Sequence, residues 1–211
     1  HVLGDAIKED TYIAGDETYH RVLVDTKNKN GNGIKKAYVW VVTAVNTGLV
    51  YYFYHDGSRR EDIILDYIKG YRGAFQSDGF SPYHKMAKRL LRLACFQHVK
   101  RKLLDCGDDF DTKVIVRLAN YIYHQDHKHI IGVDGWTERD HYKWRQQYAL
   151  PVMRIIRKKL ERMAADKSLL PKTEKYDAVH YMLNEWDGLM NIFTRGDYHL
   201  DNNLVERLNR Y

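Results

Sequence analysis

Ala37-Tyr38-Val39-Trp40-Val41-Val42-Thr43-Ala44-Val45 is β-branched, aromatic or small throughout and carries no charge, and it runs through Asn46-Thr47-Gly48 into Leu49-Val50-Tyr51-Tyr52-Phe53-Tyr54. Such side chains fit a pleated, half-buried surface, and a polar turn ending in Gly between two such runs signals a hairpin. Upstream, Tyr12-Ile13-Ala14-Gly15-Asp16 leads into His20-Arg21-Val22-Leu23-Val24. The polar, glycine-rich stretch from Lys27 to Gly33, with Asn28, Asn30 and Asn32, reads as the turn that follows it. Three runs joined this way predict an antiparallel meander.

Downstream the period changes. Between Arg60 and Lys69, Ile63, Ile64, Tyr67 and Ile68 recur at helical spacing, and Gly70 closes the helix. Gly73-Ala74-Phe75-Gln76-Ser77-Asp78 reads as a short fourth strand. Ser81-Pro82 opens a helix through Leu90, with Ser as the cap and Pro in the first turn. Leu91 to Phe96 is a fifth strand and Gln97 to Leu104 a helix. Antiparallel strands followed by alternating helix and strand predict an α/β fold with a mixed five-stranded sheet. From Gly107 the chain reads as helical: Lys113 to Tyr123, then Trp144 to Met163 with Pro151 as a kink or restart, then Lys172 to Phe193.

At 211 residues, 44% hydrophobic and 29% charged, the chain fits a globular protein of one domain or one domain with a large insertion. No stretch approaches the ~20 apolar residues of a membrane-spanning helix. Cys95 and Cys106 give no disulfide framework and fit a reducing compartment. The chain opens at His1-Val2-Leu3-Gly4 without a methionine, as expected of a segment of something longer or of a processed N-terminus.

The net charge of +6 is unevenly spread. Residues 85 to 102 carry Lys85, Lys88, Arg89, Arg92, Lys100, Arg101 and Lys102 with no acid, and residues 139 to 162 hold eight basic residues against Asp140 and Glu161. Concentrated positive charge suits a polyanion, although solvated helix faces look the same in a sequence.

Three acids stand out by order and setting. Asp16 lies in the first strand, Asp78 ends the fourth, and Glu206 falls in Asp201-Asn202-Asn203-Leu204-Val205-Glu206-Arg207, read as a short helix with Asp201 as N-cap. Asn202 and Arg210 share its face. If the first and fourth strands are neighbours, Asp16 and Asp78 sit side by side. Carboxylates meeting on rigid elements are what two-metal phosphoryl transfer requires, with Mg2+ as the hard, oxygen-seeking ion.

The chain resembles the DDE transposases of bacterial insertion sequences, and most closely the insertion sequence 66 family. The resemblance rests on Gly15-Asp16-Glu17-Thr18 with Arg21-Val22, on Gln76-Ser77-Asp78-Gly79-Phe80 followed by Tyr83, on Cys95 through Leu103, on Asn184-Glu185-Trp186-Asp187-Gly188-Leu189, and on the box from Asp201 to Arg207. It implies a ribonuclease-H-like fold, with a core over residues 1–106, an all-helical insertion over 107–195 and a catalytic glutamate helix over 196–211. It implies Asp16, Asp78 and Glu206 as the catalytic, metal-binding acids, and two Mg2+ ions with Mn2+ as a substitute. The implied activity is DNA strand cleavage and strand transfer on double-stranded DNA, at transposon ends and target, by a homodimer in the bacterial cytoplasm. A hydrolytic nuclease or resolvase of the same fold and an inactive DNA-binding relative are the alternatives. The resemblance also implies an N-terminal DNA-recognition region and zinc-binding segment for a full-length relative.

Secondary candidates have competing explanations. Glu17 points to the face opposite Asp16 and reads as structural. His98, Arg101, Lys102, Arg207 and Arg210 are candidate DNA-phosphate contacts, His98 otherwise serving capping or packing. His124, His127 and His129 look like a metal tract, but a polar loop explains them more simply. Trp136, Trp144 and Trp186 read as core of the insertion, Trp136 with a second possible use in stacking on a base.

Overall fold

The structure, a computed structural model, describes residues 2–24, 33–107 and 109–209. The expected turn from Lys27 falls outside the described residues up to Gly33, as does Arg210. The chain divides into two compact units, residues 1–92 with 202–211, and residues 93–201.

The first unit opens with a helix the sequence reading did not anticipate, α1 (Val2–Ile7), followed by β1 (Tyr12–Leu23), β2 (Ile34–Ala44) and β3 (Val50–Tyr54). Then come α2 (Glu61–Tyr67), β4 (Ala74–Ser77), α3 (Ser81–Met86) and β5 (Leu91–Ala94), within which the division between the units falls. α10 (Asn203–Leu208) returns to this unit at the end of the chain. The strand order is β3-β2-β1-β4-β5. β1, β2 and β3 pair antiparallel, and β4 runs parallel to β1. This is the mixed five-stranded sheet flanked by helices of the ribonuclease-H-like α/β fold.

Both sheet faces are covered, so the C-terminal half of β2, from Trp40 to Ala44, is a continuous buried run rather than an alternating one. On one face Ile13, Trp40, Val42, Ala44 and Phe75 pack with Ile7, Ile64, Ile68, Tyr83 and Met86 from the helices. On the other, Ala14 and Val41 pack with Val205 of α10, flanked by Val45, Val50 and Leu208.

Two expected caps are corrected. Phe80 occupies the N-cap of α3, with Ser81 inside the helix and Pro82 behind it. Asn202, not Asp201, occupies the N-cap of α10; Asp201 instead accepts a hydrogen bond from the Tyr123 hydroxyl at 2.6 Å.

The second unit is helical: α4 (Phe96–Asp105), α5 (Phe110–Asp126), α6 (Glu138–Trp144), α7 (Leu150–Ala165), α8 (Glu174–Asn184) and α9 (Trp186–Ile192). α5 starts three residues earlier than expected because Asp109 caps it, accepting the Thr112 N–H at 3.2 Å. The helix expected from Trp144 begins at Glu138 behind a Thr137–Asp140 capping box, then passes through a π-helical stretch, Arg145–Ala149, before α7. Pro151, in the first turn of α7, has no N–H for a bond back into that stretch, so the restart falls where the sequence put it. The helix expected over 172–193 is broken at the buried Glu185 into α8 and α9.

Candidate active site

β1 and β4 set the geometry. Tyr12 lies opposite Ala74, Ile13 opposite Phe75 and Ala14 opposite Gln76. Continuing that register by two residues brings Asp16 level with Asp78, on strands ~4.8 Å apart. Asp78 follows directly on β4, and its negative charge acts on Asp16. Gly15 makes the strand pair possible at this point: a Cβ there would come within 2.6 Å of the Phe75 ring.

Asp16 is largely buried. Burial, and then the negative charges of Glu17 and Asp78, push its carboxyl up from 3.8 to about 7. The Glu17 backbone N–H at 2.9 Å and the Asn209 side-chain amide at 3.1 Å oppose that rise only in part. Asp78 accepts the Phe80 N–H at 3.0 Å, which folds the turn after β4, and its carbonyl accepts from Arg92 at 2.8 Å.

α10 lies on the Asp16 face. Asp16 is level with Val41 across β1 and β2, and Ala14 is two residues back on the same side, so the cluster of Ala14, Val41 and Val205 seats the helix there. Three hydrogen bonds fix its register: Asn202 Nδ2 to the Gly15 carbonyl (3.2 Å), Asn209 Nδ2 to Asp16 (3.1 Å) and the Tyr52 hydroxyl to the Leu208 carbonyl (2.8 Å). Glu206 is four residues after Asn202 and three before Asn209, between these two anchors of the helix. Asp16, Asp78 and Glu206 thus belong to one unit, Glu206 on the helix that packs against Ala14 and Val41.

Glu17 faces the other way, as its parity in β1 requires. Its side chain, 2% exposed, accepts from Arg59 Nε and the Tyr83 hydroxyl, each at 2.8 Å. Burial raises its carboxyl, and these two donors counter the effect. Arg59 also lies 4.0 Å from the centre of the Phe80 ring. Arg59, Tyr83 and Asn209 were not assigned roles from the sequence. Arg59 sits in a loop without periodicity, and a buried Tyr or a helix-end Asn carries no signal until the strand register is known.

Among the described residues, neither Asp16 nor Asp78 forms an ion pair with Lys or Arg. A set of carboxylate oxygens whose charge is unbalanced, with one acid driven toward its neutral form, has the chemistry of a site for a hard divalent cation. Asp16 and Asp78 have this chemistry.

The family model described as "Transposase IS66 family" matches residues 1–210. The chain belongs to that family. A Sinorhizobium fredii (strain NBRC 101917 / NGR234) protein named "Uncharacterized protein y4qI" is 24% identical over 223 residues, covering 96% of this chain and 39% of that protein. The chain therefore spans about two fifths of the relative's length.

In this member of the insertion sequence 66 transposase family, the remaining candidate residues belong to several elements. His98, Arg101 and Lys102 lie on α4 in the helical unit, His98 half-buried and the other two exposed, with Lys102 5.9 Å from the Tyr181 ring centre. Arg207 is exposed on α10, and Arg210 lies outside the described residues. The three histidines do not converge. His124 is still within α5, His127 packs on Tyr123 at 4.1 Å, and His129 stacks on Trp136 at 4.2 Å. Trp136, Trp144 and Trp186 are half-buried rather than core. No helix among the described residues is long and apolar enough to cross a membrane.

Proposed function

We propose that this chain is the catalytic part of a transposase that cleaves DNA strands at element ends and joins the 3′-hydroxyl to target DNA. Asp16, Asp78 and Glu206 are its metal-holding acids, for two Mg2+ ions or Mn2+ in their place. The observation that supports the reading is the parallel β1–β4 pairing, with Asp78 directly after β4 and its charge acting on Asp16. When bound, the ions supply Lewis acidity that activates a water or a 3′-hydroxyl and stabilises the leaving oxygen.

The chain's own residues prepare for that chemistry. Asp16 and Asp78 come from adjacent strands, whose spacing is fixed by the sheet rather than by flexible loops. Asn209 orients the Asp16 carboxylate, and with Asn202 it sets the register of the helix that carries Glu206. Glu17, held by Arg59 and Tyr83, anchors β1 on the opposite face. Residues 1–106 and 196–211 serve as the catalytic core and 107–195 as its helical insertion. The substrate is double-stranded DNA, and strand transfer between paired ends calls for a homodimer working in the bacterial cytoplasm.

The test is Asp78→Asn in the full protein, assayed on DNA carrying the element ends. Mg2+-dependent cleavage and joining are expected to vanish while DNA binding persists. Undiminished activity would overturn the mechanism. Cleavage by the unaltered protein without any joined product would reassign the chain as a hydrolytic nuclease.

A further inference from the structure

We propose that the outer face of α7 is a track for the phosphate backbone of double-stranded DNA, an assignment that rests on the transposase reading but not on its catalytic acids. Met153, Ile156, Leu160 and Met163 form the buried side of α7. At ~100° per residue, Arg154, Lys158 and Arg162 fall within an arc of ~80° on the opposite side. All three are exposed.

The structure separates these cations from their neighbours. Arg157 donates to Glu161 at 2.6 Å and lies 5.2 Å from the Trp186 ring centre, and Lys159 reaches Asp111 at 3.1 Å. Glu161, the acid of α7, is thereby tied to Arg157. Arg154, Lys158 and Arg162 form no hydrogen bond or ion pair among the described residues. Arg139 and Lys143, four residues apart on α6, are also exposed. Arg145 is not part of the row, being buried against Asp126.

The spacing suits a duplex. Four residues of helix rise ~6 Å, so the three cations span ~12 Å. Along one DNA strand the charges recur every ~3.4 Å of axis, so every second phosphate is ~6.8 Å from the last. A protein partner would draw its affinity chiefly from buried aromatic or apolar anchors. Among the described residues of α7, Ile155 is the one large hydrophobic exposed beside this row.

The experiment measures binding of the full protein to duplex DNA of arbitrary sequence over a KCl series. R154Q/K158Q/R162Q is compared with the unaltered protein and with R157Q/K159Q, which removes the engaged cations. The triple variant is expected to weaken binding and to flatten the slope of log K against log salt by about 2.7, from ~0.9 per lost phosphate contact. R157Q/K159Q is expected to leave the slope nearly unchanged. A triple variant with an unaltered slope overturns the track, and so does equal flattening per charge in both variants, which would mean general attraction. Thermal melting of each variant checks that it folds, and the exposed positions make that the expected result. Asp78→Asn tests catalysis without touching α7, so loss of the transposase mechanism and loss of the track are separate outcomes.

Discussion

Asn209 donates its side-chain amide to the Asp16 carboxylate at 3.1 Å, joining residues 193 positions apart in the chain. Seven residues earlier, Asn202 donates to the carbonyl of Gly15. The two amides hold one helix against one dipeptide, and Glu206 lies between them. The position of the helix that carries Glu206 is therefore set by hydrogen bonds to the strand that carries Asp16.

Asn209→Ala should loosen this arrangement. A hydrogen bond to a charged group contributes ~1.5–3 kcal/mol, which corresponds to roughly 10–100-fold in an equilibrium constant. Mn2+ affinity measured by calorimetry at 25 °C, where the protein stays folded, is expected to fall by at least about tenfold, and the melting temperature by several degrees. An unaltered affinity would show that Asn209 does not orient Asp16.

Asp16→Asn should separate the cost of the acid from its use. Burial and the nearby charges of Glu17 and Asp78 oppose an ionised Asp16. The neutral amide is therefore expected to raise the melting temperature near neutral pH in the absence of divalent ions. Added Mg2+ is expected to stabilise the unaltered protein by mass action and the variant much less. Equal Mg2+ stabilisation of both proteins would place the ion elsewhere.

Much of the sheet was legible because strand chemistry is local. The Ala37–Tyr54 hairpin, the short strand before Asp78 and the helix restart at Pro151 all follow from residue types and spacing. The acids were legible as candidates, but their alignment depends on a parallel pairing between residues more than sixty positions apart, which no local pattern contains. The caps failed for a similar reason. Asp201 has the right chemistry for an N-cap, but Tyr123 supplies a hydroxyl to it. Glu185 breaks the last long helix although its propensity favours continuation, because its placement is decided by tertiary packing.

Gly15→Ala tests the close contact behind the site. The added Cβ would meet Phe75 Cζ at 2.6 Å, far inside van der Waals contact, and Phe75 is fully buried. Overpacking of this kind costs ~1–3 kcal/mol. Chemical denaturation of Gly15→Ala should show that loss, and Gly15→Ala/Phe75→Leu should recover part of it. A fully stable Gly15→Ala would mean that the Phe75 ring swings aside without cost.

In the helical unit, stability is expected to depend on Arg145 and on acid pH together. Arg145, 1% exposed, donates to both oxygens of Asp126 at 2.8 and 2.9 Å, and to the carbonyls of Arg195 (2.7 Å) and Tyr198 (2.8 Å). Burial opposes ionisation of Asp126, but hydrogen bonds from Arg145 and His141 hold its carboxyl at about 2, below the ordinary 3.8. A depressed native value contributes stability that is present above 3.8 and lost as the pH falls through about 2, on the order of 2 kcal/mol in all. Denaturation of the unaltered protein should show that loss across this window, and Asp126→Asn should show a smaller one. Arg145→Met leaves Asp126 buried without its main partner, and removal of one member of a buried pair costs ~3–5 kcal/mol. Its melting temperature at neutral pH should fall accordingly, with part of the loss recovered in Arg145→Met/Asp126→Asn. An Arg145→Met protein as stable as the original would show that the pair is not what joins α5, the π-helical stretch and the segment after α9.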